Sequence, residues 1–349
     1  MGISANRCNL SPLSADPRQT IEQRLWALPI SRCYPLGCFS RFPPMLIGAI
    51  VGATGVGKTS IAVELAERMG AEIISADSRQ IYQGMAIGTA QPTAQELARA
   101  HHHLINVIPP SESYSVACFC GDVHAILDRE PLKPFLLVGG TGMYVQALHD
   151  GLSNIPSADP AVRERLLAIS IRKGLPFLFQ WMLRVDPVLR ATIQPGDSHR
   201  ILRALEIHCQ TGLRWSDLMN QKTGGFGPFP IAWLDRDRSE LYSRIDERIQ
   251  AMMNNGWLKE AELLYTQLSV QTPGMQSLGY RDLVGFLQSG GDLAAVIVKI
   301  QQETRNFAKR QLTWFRHQLP TTPFLLSNSA EFDQISSLET FFKKNARKP

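Results

Sequence analysis

The sequence predicts an α/β fold, a P-loop NTPase-like core with a parallel sheet, carrying an inserted all-helical domain. Three observations predict it. The stretch Leu46 to Ser60, LIGAIVGATGVGKTS, places a short apolar run before a G-x-x-x-x-G-K-[ST] loop, and helix-spaced apolar residues follow it. Short strand signals then alternate with helical ones up to residue 150. From Asp159 to about Gly225 the pattern is helical, with no strand signal.

The loop comes first because strand, glycine loop and helix is the context that gives the pattern meaning. Leu46 to Val51 reads as a buried parallel strand, and Ile61, Ala62, Leu65, Ala66 and Met69 recur at helical spacing. Between them Gly52, Ala53, Thr54, Gly55, Val56, Gly57, Lys58 and Thr59 form a diphosphate cradle. Glycines let several N–H groups point at one anion, Lys58 adds positive charge, and the Thr59 hydroxyl is a ligand for Mg²⁺.

Composition narrows the function classes. The 349-residue chain is 44% hydrophobic, and no apolar run approaches the roughly 20 residues that cross a bilayer. A net charge of +5 decides nothing until its clustering is known. Six cysteines without a secreted spacing pattern predict free thiols in a reducing, cytoplasmic setting. Cys118 and Cys120 with His124 are a candidate metal set. Residues 1–44 are rich in proline and arginine and lack sustained periodicity, so they read as a disordered extension, with Met45 as the expected start of the folded protein.

The second strand, Glu72 to Ala76, delivers Asp77, Ser78, Arg79 and Gln80 at its carboxyl end, where open α/β sheets bind ligands. Asp77 there can serve Mg²⁺ or act as a base; a turn cap is the plain alternative. His102, His103 and Leu104 open a third strand, LINVI, ending at Pro109. His101, His102 and His103 invite a metal reading, but strand neighbours point to opposite faces and no carboxylate or cysteine partner is in view. Ser115 caps a helix to about Asp128. The strand Phe135 to Val138 then ends in Gly139, Gly140, Thr141 and Gly142. A nucleoside triphosphatase needs a metal-binding acid there, whereas a fold that only holds a diphosphate leaving group does not.

In the helical stretch, residues 151–229, Arg200 and Arg203 lie three apart and share a helix face, which is also what a solvated surface looks like. Residues 230–330 return to the core. Arg244 and Arg248, at i and i+4, can converge on one anion. The run from Asp292 to Gln318 interleaves Lys299, Arg305, Lys309, Arg310 and Arg316 with Phe307, Trp314 and Phe315, a pattern suited to nucleic acid. Phe307 and Phe315 also fit the core side of an amphipathic helix. Residues 331–349 add a last helix and basic tail.

Taken together, GATGVGKT at 52–59, IISADSRQIYQGMAIGTAQPT at 73–93, VGGTGMYVQAL at 138–148 and GLSNIPSADPAVR at 151–163 resemble the tRNA dimethylallyltransferases, the isopentenyl-tRNA transferases of bacteria. The resemblance continues through DSHRILRALEIHCQTG at 197–212, LYSRIDERI at 241–249, QSLGYRD at 276–282 and TRNFAKRQLTWFR at 304–316. It spans nearly all of residues 45–320. One departure is Ala53, where the family motif usually has proline; no ligand-binding group is lost.

That resemblance implies transfer of a dimethylallyl group from dimethylallyl diphosphate to N6 of adenosine at position 37 of tRNA, next to the anticodon, with Mg²⁺ as cofactor. It implies Asp77, Thr54 and Lys58 as catalytic residues. Gly52 to Thr59 with Arg244 and Arg248 would hold the diphosphate, with Thr59 on the metal. The tRNA anticodon stem-loop would be met by Asp77, Ser78, Arg79, Gln80, Thr141 and Arg163, by His199, Arg200, Ile201, Leu202 and Arg203, and by Gln276, Ser277, Leu278, Gly279, Tyr280 and Arg281. A monomer without membrane attachment is expected. Three alternatives share parts of the pattern. They are a small-molecule kinase, an isopentenyltransferase acting on free adenine nucleotides, and an RNA-binding regulator with a vestigial nucleotide fold. Intact Lys58, Thr59 and Asp77 speak against the last.

Overall fold

β1 (Leu46–Gly52) is buried at every position because it is sandwiched within the sheet and covered on both faces, which is why its sequence is an unbroken apolar run rather than an alternating one. The computed structural model describes residues 46–326 and 331–345; the reading of residues 1–44 falls outside the described residues. Around β1 stand β2 (Glu72–Ser75), β3 (His102–His103), β4 (Phe135–Gly139), β7 (Ile231–Asp235) and β8 (Thr322–Leu325), in the order β3-β2-β4-β1-β7-β8 and all parallel. β5 (Leu152–Ser153) and β6 (Lys222–Thr223) form a separate antiparallel pair. β4 lies between β1 and β2, so the chain leaves β1 over one face and returns two strands away. The carboxyl ends of β1, β2, β4 and β7 consequently open on one crevice.

Period-two alternation divides the core into two layers. On one face Ala49, Val51, Ile74, Leu137 and Trp233 pack with Phe119, Tyr144, Trp257, Tyr280 and Phe315. These come from α3 (Val116–Arg129), α4 (Gly142–Asp150), α10 (Trp257–Gln267), α11 (Tyr280–Ser289) and α12 (Leu293–Gln318). On the other face Ile50, Ile73, Leu136 and Leu234 pack with α1 (Lys58–Met69) and α9 (Arg238–Asn254) through Ile61, Leu65, Leu241 and Ile245. The last helix, α13 (Glu331–Asn345), joins this layer through Leu338 and Phe342. A Cβ on Gly48 would come within 2.5 Å of the Phe342 ring, so the glycine is what lets α13 seat against β1.

The helices between Asp159 and Met219 have their own core. α5 (Pro160–Lys173), α6 (Leu175–Val185) and α7 (Ser198–Thr211) enclose Leu166, Leu178, Met182, Ile201 and Leu205, and α8 (Trp215–Met219) closes one end. Asp159 caps α5, Asp197 caps α7, and Gly212 ends α7 in the left-handed conformation. At the stem, Leu152 pairs with Thr223 and Ser153 with Lys222. Strand character therefore does enter this stretch, against the purely helical reading; two-residue segments carry too few side chains to produce a sequence signal.

The third strand is also corrected. It ends at His103, because Leu104 and Asn106 take left-handed backbone conformations that turn the chain back toward Ile81. The histidines do have a carboxylate partner. Glu72, from the neighbouring strand β2, accepts from His103 Nε2 at 2.6 Å, and the His101 and His103 rings meet edge to face. A short, exposed helix, α2 (Ala94–Arg99), precedes them with a complete Thr93–Glu96 capping box.

Candidate active site

The loop after β1 closes through residues far from it in sequence. Gly57 takes φ +103° and Gly55 φ +83°, turning successive N–H groups toward the crevice before α1 begins. Lys58 is partly buried, and its ammonium donates to the carbonyls of Gly52 and Ala53, each at 2.9 Å. Burial pushes its pKa down to about 8, against the pull of the Asp77 carboxylate, and Arg248 pushes in the same direction as burial. Arg248 is itself held below its usual value by burial, opposed by Asp77. Lys58, Asp77, Arg248 and Arg244 thus form one electrostatic cluster.

Three arginines of the β7–α9 region serve the loop differently. Arg244 Nε donates to Gly55 O at 3.0 Å, and Arg236 Nε to Val56 O at 2.9 Å. These grips fix the loop's outward carbonyls and bring guanidinium nitrogens to within 4 Å of where a Cβ on Gly57 would stand. Arg248, one turn further along α9, is set beside Asp77 and Lys58 instead. Arg236 was not identified from sequence; it follows Asp235 at the end of a central strand, the position where this topology places ligand-facing groups.

Asp77 is held by its own turn. Its Oδ1 accepts from the N–H groups of Arg79 at 2.9 Å and Gln80 at 3.4 Å, so the cap role and a site role coexist. Thr141 N donates to Ala76 O, and Thr141 Oγ1 accepts from Ser78 N at 3.1 Å, locking the β2 and β4 ends together. Glycine is obligatory beside them: a Cβ on Gly139 would fall 2.1 Å from Ala76 O.

Gln311 on α12 is the residue that the sequence concealed. Buried between loop and sheet, its Oε1 accepts from Thr54 N and its Nε2 donates to Gly140 O, both at 2.9 Å. A Cβ on Gly140 would sit 2.4 Å from that amide, and one on Gly142 would sit 2.3 Å from the Trp314 ring. The glycines after β4 therefore admit α12 rather than a metal-binding acid. Nothing in a lone glutamine on a basic helix signals this.

The expected RNA-facing residues separate into three groups. Arg79 reaches Pro273 O at 3.1 Å, so the turn after β2 touches the segment that carries Gln276 to Arg281. Gln80 is spent internally, between Ser75 and Ala90. Ile201, Leu202, Ser277 and Tyr280 are buried, so they brace neighbours rather than face solvent. Tyr280 donates to Glu260, whose carboxylate also takes the N–H groups of Ile87 and Gly88. His199 and Arg200 are exposed at the start of α7. Arg203 and Arg163 instead converge on Glu206, a fully buried carboxylate 3.3 Å and 3.2 Å away. Arg203 also donates to Pro156 O. Sequence reasoning missed Glu206, which looks like any polar residue of an amphipathic helix.

Two further expectations are settled by placement. Cys118, Cys120 and His124 are not drawn together as a metal set: His124 Nε2 bonds Gly224 O, and burial raises the Cys120 thiol to about 12. Phe315 is core, but Phe307 is partly exposed, with the Arg310 guanidinium 5.7 Å from its ring.

Comparison with known proteins bears on this geometry. The sequence matches the IPP transferase family over residues 80–318 and the isopentenyl transferase family over residues 45–106. The chain belongs to the IPP transferase family. It is 39% identical over 280 residues to tRNA dimethylallyltransferase 1 of Syntrophotalea carbinolica, covering 78% of this chain and 88% of that protein. Among solved structures, the full-length tRNA isopentenylpyrophosphate transferase of Bacillus halodurans aligns with TM-score 0.62 and 35% identity, over 86% of this chain and 96% of that one. A eukaryotic dimethylallyltransferase acting on tRNA aligns with TM-score 0.71 and 25% identity, over 86% and 80% of the two chains. No helix among the described residues is long and apolar enough to cross a membrane.

Proposed function

We propose that this chain transfers the dimethylallyl group of dimethylallyl diphosphate to N6 of adenosine 37 in tRNA, in the cytoplasm and as a monomer, releasing diphosphate. The observation that carries the reading is the meeting, at one crevice, of a carboxylate fixed by its own turn and a loop surrounded by partly buried cations. In the reaction the C1–O bond of the allylic diphosphate breaks, its electron pair leaves with the diphosphate, and the N6 lone pair forms the new C–N bond. Charge develops on the departing group, so preorganised donors around it lower the barrier. Loop N–H groups, Lys58, Arg244 and Arg248 supply them, with Thr54 near the bridging oxygen. Thr59 offers a hard oxygen donor that suits Mg²⁺, which when bound would neutralise diphosphate charge.

Asp77 orients the exocyclic amine and takes its proton through Oδ2, since both turn hydrogen bonds fall on Oδ1. The base must leave the anticodon stack to reach it. Basic groups on the β2 turn and on the exposed side of α12, whose Gln311 meets the loop, favour a polymeric acceptor over a free nucleotide.

The test supplies Mg²⁺, labelled dimethylallyl diphosphate, and either unmodified tRNA or AMP to the purified protein. Label in tRNA alone is expected, and Asp77→Ala should abolish it while tRNA binding persists. Label in AMP alone would assign the free-nucleotide reaction, and full activity of Asp77→Ala would remove that carboxylate from the mechanism.

A further inference from the structure

At the other end of β2 from Asp77, by about five strand residues or roughly 16 Å, lies a cluster that the transfer reaction does not use. His101 and His103 alternate onto the same face of the edge segment, and the register Ile73↔His102 brings Glu72 beside them from β2. One ligand atom from each of the three lies within 4.8 Å of the other two. Sequence alone hides the set because Glu72 and His103 are 31 residues apart.

We propose that Glu72, His101 and His103 bind one borderline divalent cation, with Zn²⁺ as its type. Two imidazole nitrogens and one carboxylate oxygen make a donor set that suits zinc, leaving a fourth position for water. Magnesium, which favours an all-oxygen shell, is a poor match. The cluster already attracts positive charge: Lys133 Nζ contacts Glu72 and lies 3.0 Å from Glu130. Lys133 is partly exposed on the loop before β4, and a surface ammonium of this kind is weakly held, so it can yield to a divalent ion. The ion would pin β3, a two-residue edge strand, to β2. Its role is therefore structural and independent of diphosphate.

The experiment uses the untagged full-length protein, stripped with chelator, titrated with zinc chloride by calorimetry and followed by thermal unfolding. One Zn²⁺ per chain and a raised Tm are expected, both unaffected by excess Mg²⁺. His101 is exposed, so His101→Ala should fold, giving up in the unliganded protein only local contacts such as that with the His103 ring. It should lose at least about the hundredfold in affinity that weaker perturbations of metal sites cost. Lys133→Ala, which removes the competing cation, should bind more tightly. A wild type that takes up no zinc, or an isotherm unchanged in His101→Ala, overturns the site. Unchanged or weaker binding in Lys133→Ala overturns its placement at Glu72.

Discussion

The loop end of the sheet and the helical insert both gather arginine, and they hold it in opposite ways. Around the loop, Arg236 and Arg244 are tied to backbone carbonyls, and the partly buried Arg248 is coupled to Asp77 and Lys58. In the insert, Arg163 and Arg203 keep exposed surface and lean on a single buried carboxylate, Glu206. The first arrangement fixes positive charge at one point, which suits a compact anion whose leaving must be stabilised. The second aims charge while letting it adapt, which suits a long polyanion met at several places.

Removing a point charge should break the first arrangement most sharply. Lys58→Ala should lower kcat by about 100- to 1000-fold with tRNA affinity unchanged, measured by single-turnover transfer and filter binding. The wild type should show the same dependence with pH. Lys58 holds its proton only up to about pH 8 in the folded protein, against 10.5 when unperturbed. Affinity for the diphosphate substrate should thus fall as pH rises through about 8. Folding stability moves the other way, rising between about pH 8 and 10.5, because there the unfolded chain binds the extra proton.

Next in size is the clamp. Gln311→Ala leaves Thr54 N–H and Gly140 C=O unpaired and should cost about 1–3 kcal/mol of stability. It should also raise KM for dimethylallyl diphosphate without changing KM for tRNA. Gln311→Glu keeps an acceptor for Thr54 but cannot donate to Gly140 and adds a negative charge near the loop, so its KM defect should exceed its stability defect. Equal KM values in both variants would show that α12 merely packs there.

The smallest effect belongs to the insert. Glu206→Gln should raise KM for tRNA several-fold, on the order of one lost charge-assisted contact, with kcat and the diphosphate KM unchanged. Arg163→Ala should lower the slope of log affinity against log salt by about one. A slope equal to that of the wild type would assign Arg163 to the fold of the insert alone.

Much of the loop end was legible because its chemistry is local: strand, glycines, Lys58 and Thr59 are contiguous, and Asp77 follows the next strand. What escaped was long-range. Gln311 meets Thr54 across 257 residues, and no local pattern distinguishes it from Gln318 or Gln301 on the same helix. Arg236 was within reach, since strand ends are privileged positions in this topology. Gln276 to Arg281 were expected to contact tRNA together, yet Tyr280 and Ser277 are buried. Spacing gives the periodicity of a helix but not which stripe the rest of the fold will cover. His101 and His103 show the same limit: parity between neighbours argued against a shared site, whereas residues two apart come together and only the neighbouring strand could supply Glu72.

The seating of Phe342 against Gly48 joins the first and the last of the described elements, β1 and α13. Until synthesis reaches that helix, Ile47, Ile50 and the neighbouring apolar side chains on that face lack part of their cover. The nascent chain must therefore carry a half-clothed sheet through most of its own translation. A chain cut before α13 would keep the loop, Asp77 and Gln311, and would still have a permanently open flank, ready for chaperones or for aggregation.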